Sequence, residues 1–487
     1  MSNNTQTTEY VERLKDAFDE MVVYKDLTKS NFISSFKLPS FMRDWVLRRF
    51  QDDNGEIDIE GAVDFIKEFI PKKDEWNSIV NRVVNYGEHV QFLAKIAIHI
   101  DIGTQEISFE LPDFGLRHKQ TVINRDVWDS CSTELLKAEE NWGIVEIGYQ
   151  YPEDEREKGK IKLVSFNDFC PYLVDLDDYK YARDDFSLAE WIDILLGAID
   201  YNADGYESTE QKLAVIQRLL PFVEKRINLM ELAPASTGKS YLFGQVSRHG
   251  WLVSGKVTRA KLIYDMGSKK DGVVANRDFV ALDEIREAEY MKDTEIQSAL
   301  QAIMENGKYR APDNHEVNVD AGIIFLGNID STSMNEYQNM FMELPKPFHQ
   351  PQFWDRIHGF IKGWDIPRMH DDLKVCGWAL NSEYFATVLH ALRDDPSYRA
   401  IVDELIVLPK GADTRDTEAV KRIATAYLKL FFPNVRSVED ISTLEFKKYC
   451  LKPAMEMRQI VRIQMGFADE KYQGTVVPEY SIKGINE

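Results

Sequence analysis

The sequence predicts an α/β protein, and three segments in chain order predict it. An apolar strand at 227–232 (INLMEL) runs into APASTGKS at 233–240 and then into a helix over Tyr241–Val246. A second apolar strand, FVAL, ends in Asp283 and Glu284, and a third, IIFLG at 323–327, ends in Asn328. Strand, loop, GKS and helix together are the context in which a P-loop match acquires chemical meaning.

Each segment supplies one part of an ATP site. The loop Ala233, Pro234, Ala235, Ser236, Thr237, Gly238, Lys239 and Ser240 can wrap phosphates with its backbone N–H groups, and the following helix start favours negative charge. Lys239 can reach the β- and γ-phosphates, and the Ser240 hydroxyl can ligate Mg²⁺. Asp283, at a strand's C-terminal end, can hold Mg²⁺ through water, and Glu284 can orient or deprotonate the attacking water. Asn328 is expected to position that water. P-loop, acidic strand and amide strand in this order describe a core of the AAA+ type.

One residue departs from the pattern. Ala233 stands where the motif usually has Gly, and Ala avoids the left-handed angles that Gly takes freely. The expectation is a loop that forms with reduced affinity. Two arginines extend the site. Arg356, in FWDRIHGF, can act as a finger on a neighbouring subunit's nucleotide, and Arg415, near the start of a helix in DTRDTEAVKRIATAYLKLF, can contact nucleotide from a lid. Arg422 competes with Arg415 for that role, and surface ion pairing is the alternative for all of them.

The remaining elements follow from composition and periodicity. A chain of 487 residues suggests about three domains. At 44% hydrophobic and 29% charged it reads as an ordinary globular protein. No apolar run approaches the length of a membrane span, and the acidic amino terminus does not read as a signal peptide, so a cytoplasmic location is expected. Cys131, Cys170, Cys376 and Cys450 are widely spaced and read as reduced core residues. The net charge of −22 argues against general coating of nucleic acid but leaves room for a locally basic pore.

Residues 8–82 carry helical spacing, as in Tyr10–Val23 and Phe41–Phe50, the latter with Arg43, Arg48 and Arg49 on a solvated or phosphate-contacting face. Residues 88–166 alternate like strands, for which an OB-like barrel is one candidate. Residues 167–186 read as an acidic linker, and Ser187 with Glu190 has capping-box spacing before Trp191–Ile199. A further helix covers about Glu210–Lys225. The resulting division is a helical region at 1–85, a β-rich module at 86–185, the ATPase core at 186–370, a helical lid at 371–432 and an extension at 433–487.

The stretch ELAPASTGKSYLFGQVS with WLVSGKVTRAKLIYDM, FVALDEI, NVDAGIIFLGNID and FWDRIHGFIKGWDIPRM resembles the BrxL family of Lon-related BREX phage-defence ATPases. The likeness extends through DLTKS near 26, SLAEWIDILLGAIDY near 187 and AVKRIATAYLKLFFP, and is weakest over 88–166. It implies a homo-oligomeric ring, a hexamer or a multiple of one, with a motor related to MCM helicases that engages DNA in antiviral defence beside other defence proteins. The MCM relationship also implies a pore hairpin at 307–320, where Lys308 and Arg310 are the cations and Tyr309 a stacking candidate, with a solvated hairpin tip as the alternative. Full-length members resemble proteins with a C-terminal Lon-type protease domain, for which residues 433–487 are too few. Ser437, Ser442 and Ser481 lack a nucleophile motif, so peptidase activity is not expected. A protein-unfolding ring, or an ATP-binding scaffold with little turnover, are the competing functions.

Overall fold

In a computed structural model, the described residues are 7–27, 38–136, 140–152, 157–168, 174–330, 333–342 and 344–483. Cys170 and the Thr28–Ser30 part of DLTKS lie outside them. The chain forms two compact units, one from Met1–Arg48 with Val174–Glu487 and one from Arg49–Leu173.

The first helix, Thr8–Phe18, is capped by the Thr7 side chain and is shorter than the spacing predicts. Asp19 takes a φ of 44° and breaks it, so Val22 and Val23 fall in a strand, β1 (Val22–Asp26). Helix Ser40–Phe50 follows, and its Arg43 is only 6% exposed. A helix runs over Leu176–Ala182 inside the predicted linker, with the Asp175 carboxylate capping Asp177 N–H.

The smaller unit holds β2 (Val90–Ile100), β3 (Ile107–Glu110), β4 (Thr121–Ile123), β5 (Glu140–Gln150) and β6 (Lys160–Asp168). They form one sheet in the order β3-β2-β5-β6-β4, antiparallel except for the parallel pair β4/β6. Alternate residues Phe92, Phe109, Val145, Ile147 and Leu163 face a core that helix Arg125–Leu135 closes with Cys131 and Leu135. The two edge strands approach each other, because Thr121 Oγ1 donates to Phe109 O at 2.5 Å and accepts from Phe109 N–H at 2.9 Å.

The larger unit is organised by β7 (Leu229–Ala233), β8 (Gly250–Val253), the two-residue pair β9 (Tyr264–Asp265) and β10 (Lys270–Asp271), β11 (Phe279–Leu282), the hairpin β12 (Lys308–Arg310) and β13 (Glu316–Asn318), β14 (Gly322–Asn328) and β15 (Gly359–Lys362). Five of these make a wholly parallel sheet in the order β15-β7-β14-β11-β8. β7 and β11 are buried throughout, as expected of a parallel sheet covered on both faces. The chain leaves β7 and crosses two strands to β8, so β7 lies at a topological switch point, where α/β sheets bind ligands. A further strand, β16 (Cys376–Leu380), pairs with β1. Residues 371–432 supply helices Ser382–Arg393, Ser397–Leu405 and Thr414–Phe431. Helix Lys452–Ala468 places Ile460, Val461 and Met465 in the same core as the sheet. The capping box at Ser187 is formed: Ser187 N–H donates to Glu190 at 2.8 Å and Glu190 N–H to Ser187 Oγ at 3.3 Å.

Candidate functional site

The P-loop follows β7 directly, and its first position is free of strain. Ala233 is the last strand residue, paired with Asn328 of β14, so it never needs the left-handed angles that Gly would supply. Space for its methyl comes from Gly363, where an added Cβ would lie 2.2 Å from Ala233 Cβ. The left-handed residues are instead Ser236 (φ 66°) and Gly238 (φ 81°). A Cβ at Gly238 would meet the Tyr201 hydroxyl at 2.5 Å, so glycine is needed there for room as well as for angle.

Lys239 opens helix Lys239–Gln245 and reaches back over the loop. Its Nζ donates to Pro234 O at 3.3 Å and to Asn328 Oδ1 at 3.1 Å. Burial pushes its pKa below the usual lysine value, against the opposing pull of the Glu231 carboxylate. A partly desolvated ammonium whose hydrogen bonds go to neutral oxygens suits an anionic ligand. Beside it, Ser240 Oγ donates to Asp283 Oδ2 at 2.6 Å, bringing together two hard oxygen donors of the kind Mg²⁺ takes. Asp283 N–H continues the sheet ladder to Val253 O, and Asp283 Oδ1 accepts from Glu284 N–H at 2.9 Å. Glu284 turns left-handed at φ 54° and is exposed. Lys239, Ser240, Asp283 and Asn328 are thus joined at the C-terminal edge of the sheet.

Two supports of this loop escape sequence reasoning. Arg218 is fully buried and paired with Glu231 of β7, Nε to Oε2 at 2.9 Å and Nη2 to Oε1 at 2.6 Å. The same guanidinium donates to Thr237 O at 2.8 Å and to Thr237 Oγ1 at 3.1 Å, which fixes the loop from behind. The second support is Tyr241, whose hydroxyl donates to Asp200 Oδ2 at 2.6 Å. Asp200 also accepts from Arg43 at 2.6 Å and Lys25 at 3.1 Å. Burial alone would raise the Asp200 pKa, and the two cations more than offset it, holding the carboxyl well below its ordinary range. Arg43 therefore braces the P-loop helix from inside and is no part of an exposed basic face. Arg48 is half-buried and Arg49 lies over the Phe65 ring.

Arg356 and Arg415 are not near the P-loop. Arg356 O accepts from Asn228 Nδ2 at 3.2 Å, which places Arg356 where β7 begins. Its guanidinium pairs with Glu305, and Arg415 donates to the same carboxylate at 2.8 Å and also pairs with Asp355. Both arginines lie at the N-terminal edge of the sheet. The five residues of β7 separate that edge from the P-loop by about 16 Å. Arg422 donates to Lys225 O and pairs with Glu418, on the same side.

The hairpin at 307–320 forms as β12/β13, with Lys308 and Arg310 exposed on one face. Strand alternation turns Tyr309 the other way, half-buried against the core and off the face that carries the two cations. Lys308 Nζ donates to Glu316 at 2.8 Å. The hairpin tip is tied to the β9/β10 turn. Asp313 accepts from Tyr264 Oη at 3.0 Å and from Lys269, while His315 stacks on Tyr264 with centroids 4.7 Å apart. Exposed Lys270 belongs to this second hairpin, a feature with no motif to announce it. Of the serines considered as nucleophiles, Ser437 donates to Asp440, Ser442 precedes a short helix and Ser481 lies in a strand paired with Ile406–Val407. Among the described residues no helix is long and apolar enough to cross a membrane.

Comparison with known proteins gives two family matches. Residues 161–477 match the model described as "Lon-like protease BrxL-like, ATPase domain", and residues 16–149 match "BREX system Lon protease-like protein BrxL N-terminal". The chain is 27% identical over 448 residues to "Lon-like protease BrxL" of Bacillus cereus (strain H3081.97), covering 90% of this chain and 64% of that protein. It is 26% identical over 461 residues to the protein of the same name from Escherichia coli O9:H4 (strain HS), covering 93% of this chain and again 64% of the relative. The chain therefore spans just under two thirds of the length of the curated relatives it matches.

Proposed function

The chain belongs to the BrxL family, and on that footing we propose that it is a ring-forming AAA+ ATPase that hydrolyses ATP and engages DNA, as a translocase or clamp in BREX antiphage defence. The observation that carries the catalytic reading is the joined set at the sheet's C-terminal edge: Lys239 on Asn328, and Ser240 on Asp283. ATP would lie along residues 233–240, and Ser240 with Asp283 would hold Mg²⁺, which supplies charge neutralisation of the phosphates. Lys239 binds the phosphates, Asn328 orients water, and Glu284 receives its proton. The extended, strand-paired backbone of Ala233 supports a working ATPase over a scaffold with little turnover.

Arg356 and Arg415 complete the site of the next subunit, Arg415 from the lid helix Thr414–Phe431. Their position at the opposite sheet edge supports action in trans for both. DNA engagement rests on the exposed pair Lys308 and Arg310. An unfoldase pore would present an aromatic residue, and Tyr309 is turned inward. The smaller unit adds support: numbered within that unit, its strand order 2-1-4-5-3, with the third and fifth parallel and a helix between the third and fourth, supports reading it as OB-like, and OB folds bind oligonucleotides. Other BREX proteins are the expected partners.

The catalytic assignment is tested by Glu284→Gln and Lys239→Ala. Glu284→Gln keeps shape and ATP affinity but removes the base, so hydrolysis falls about 10²- to 10⁴-fold. Lys239→Ala loses nucleotide binding itself. Wild-type turnover in Glu284→Gln would remove Glu284 from the mechanism.

A further inference from the structure

The N-terminal edge of the sheet carries a cluster that the ATPase does not use. His249 immediately precedes β8, Asp278 immediately precedes β11, and His390 lies on helix Ser382–Arg393. One potential ligand atom from each of the three lies within 4.8 Å of the others. The two imidazoles stack with centroids 4.0 Å apart and planes 8° apart. His390 Nδ1 sits 2.9 and 2.8 Å from the two Asp278 oxygens. His249 Nε2 is buried and has no hydrogen-bond partner among the described residues. A buried, unpartnered ring nitrogen is costly, and its lone pair is ready-made for a cation.

We propose that His249, Asp278 and His390 form a divalent transition-metal site, with zinc the ion their chemistry fits. Two imidazoles and one carboxylate suit zinc, whereas Mg²⁺ and Ca²⁺ prefer all-oxygen sets and Cu(I) prefers sulfur. Ligand atoms up to 4.8 Å apart must close to about 3.4 Å to share a tetrahedral ion at the roughly 2.1 Å bond lengths of zinc, and the His390 ring must turn out of the parallel stack so that both in-plane lone pairs meet at the ion. Loop ends and one exposed imidazole, His390 at 44%, permit that movement. Solvent reaches the cluster through His390 and supplies the fourth ligand.

Two of the three surrounding arginines are ion-paired, Arg248 with Glu383 and Arg393 with Asp278 itself. Arg248 is paired with Glu383 at 2.8 Å. Arg277 donates to Arg248 O at 3.0 Å. Arg393 donates to Pro221 O, Glu224 O and Asp320 O, and only its Nε approaches Asp278, at 3.3 Å from Oδ1. That approach orients the carboxylate, as donors behind the ligands do in metal sites. The bound ion would fasten helix Ser382–Arg393 to the sheet edge opposite the nucleotide.

The test uses the full chain, stripped with a chelator and then titrated with zinc chloride. Bound zinc is counted by mass spectrometry after free metal is removed, and thermal stability is followed in parallel. Wild type is expected to retain one zinc more per chain than His390→Ala or Asp278→Asn, with affinity about 100-fold or more weaker in the variants. Zinc should raise the wild-type Tm and leave theirs unchanged, and ATP binding in each variant reports that it folds. Cobalt(II) gives a second reading on the wild type alone, a visible absorption band of a four-coordinate site. Equal zinc retention in wild type and variants, or none in wild type, overturns the assignment.

Discussion

Gly363→Ala tests whether Gly363 is what makes an alanine acceptable at the head of the P-loop. The new Cβ would lie 2.2 Å from Ala233 Cβ, 2.8 Å from Ala233 Cα and 2.8 Å from Leu232 O. Two of these atoms are backbone, so no side-chain rotation relieves them. Overpacking of a filled site costs about 1–3 kcal/mol, a factor of roughly 5 to 150 in an equilibrium constant. Ala233 is the hinge between β7 and the loop, so the displacement passes into residues 234–238 and moves Lys239 off Asn328. The expected result is a loss of ATP affinity in that range, read by titration with a fluorescent nucleotide, with a smaller fall in Tm. Ala233→Gly in the same chain removes the 2.2 Å clash but keeps the two at 2.8 Å, so it restores affinity in part. A non-zero coupling energy between the two substitutions is the signature. Wild-type affinity and Tm in Gly363→Ala, or no recovery in the double variant, would refute the packing argument.

Arg356→Ala should bind ATP yet hydrolyse it about 10³- to 10⁵-fold more slowly, the usual contribution of an arginine finger. Mixed with Lys239→Ala under conditions where subunit exchange is demonstrated, it should regain turnover at interfaces joining intact Lys239 to intact Arg356, and failure to do so counts against trans action. Replacing Lys308 and Arg310 by alanine should weaken DNA binding and flatten its salt dependence, by about 0.9 in log–log slope for each phosphate no longer neutralised, with ATP binding unchanged. Equal affinity and slope in filter binding would remove the hairpin from the DNA interface.

The strand-end positions of the P-loop, Asp283 and Asn328 could be read from sequence because each is a local signal: an apolar strand running into a polar residue. What supports them could not. Arg218 has no motif, and its partners Glu231 and Thr237 become neighbours only when the sheet forms. Arg43 looks like a surface cation in RDWVLRR, and its real partner, Asp200, is brought in by tertiary packing. β1 reads as the end of a helix because helical spacing cannot register a partner strand at 376–380. The helix Leu176–Ala182 hides in an acidic stretch whose carboxylates are its N-terminal cap and first turn.

Trans action by Arg356 and Arg415, as proposed, would set how subunits meet. Lys239, Ser240, Asp283 and Asn328 occupy one edge of a parallel sheet, and Arg356 with Arg415 occupies the other. In a two-fold dimer the same patch faces itself, so both edges would have to share one surface, which a parallel sheet with opposed ends does not offer. A head-to-tail arrangement, repeated until it closes, brings each arginine edge onto the next nucleotide edge and leaves no site unserved. Within one chain, Glu305 holds both guanidinium groups at once. In the proposed trans arrangement a triphosphate, more highly charged than that shared carboxylate, would compete for the same pair. We infer that Glu305 sets the arginines as a unit, so that they reach the adjacent site together.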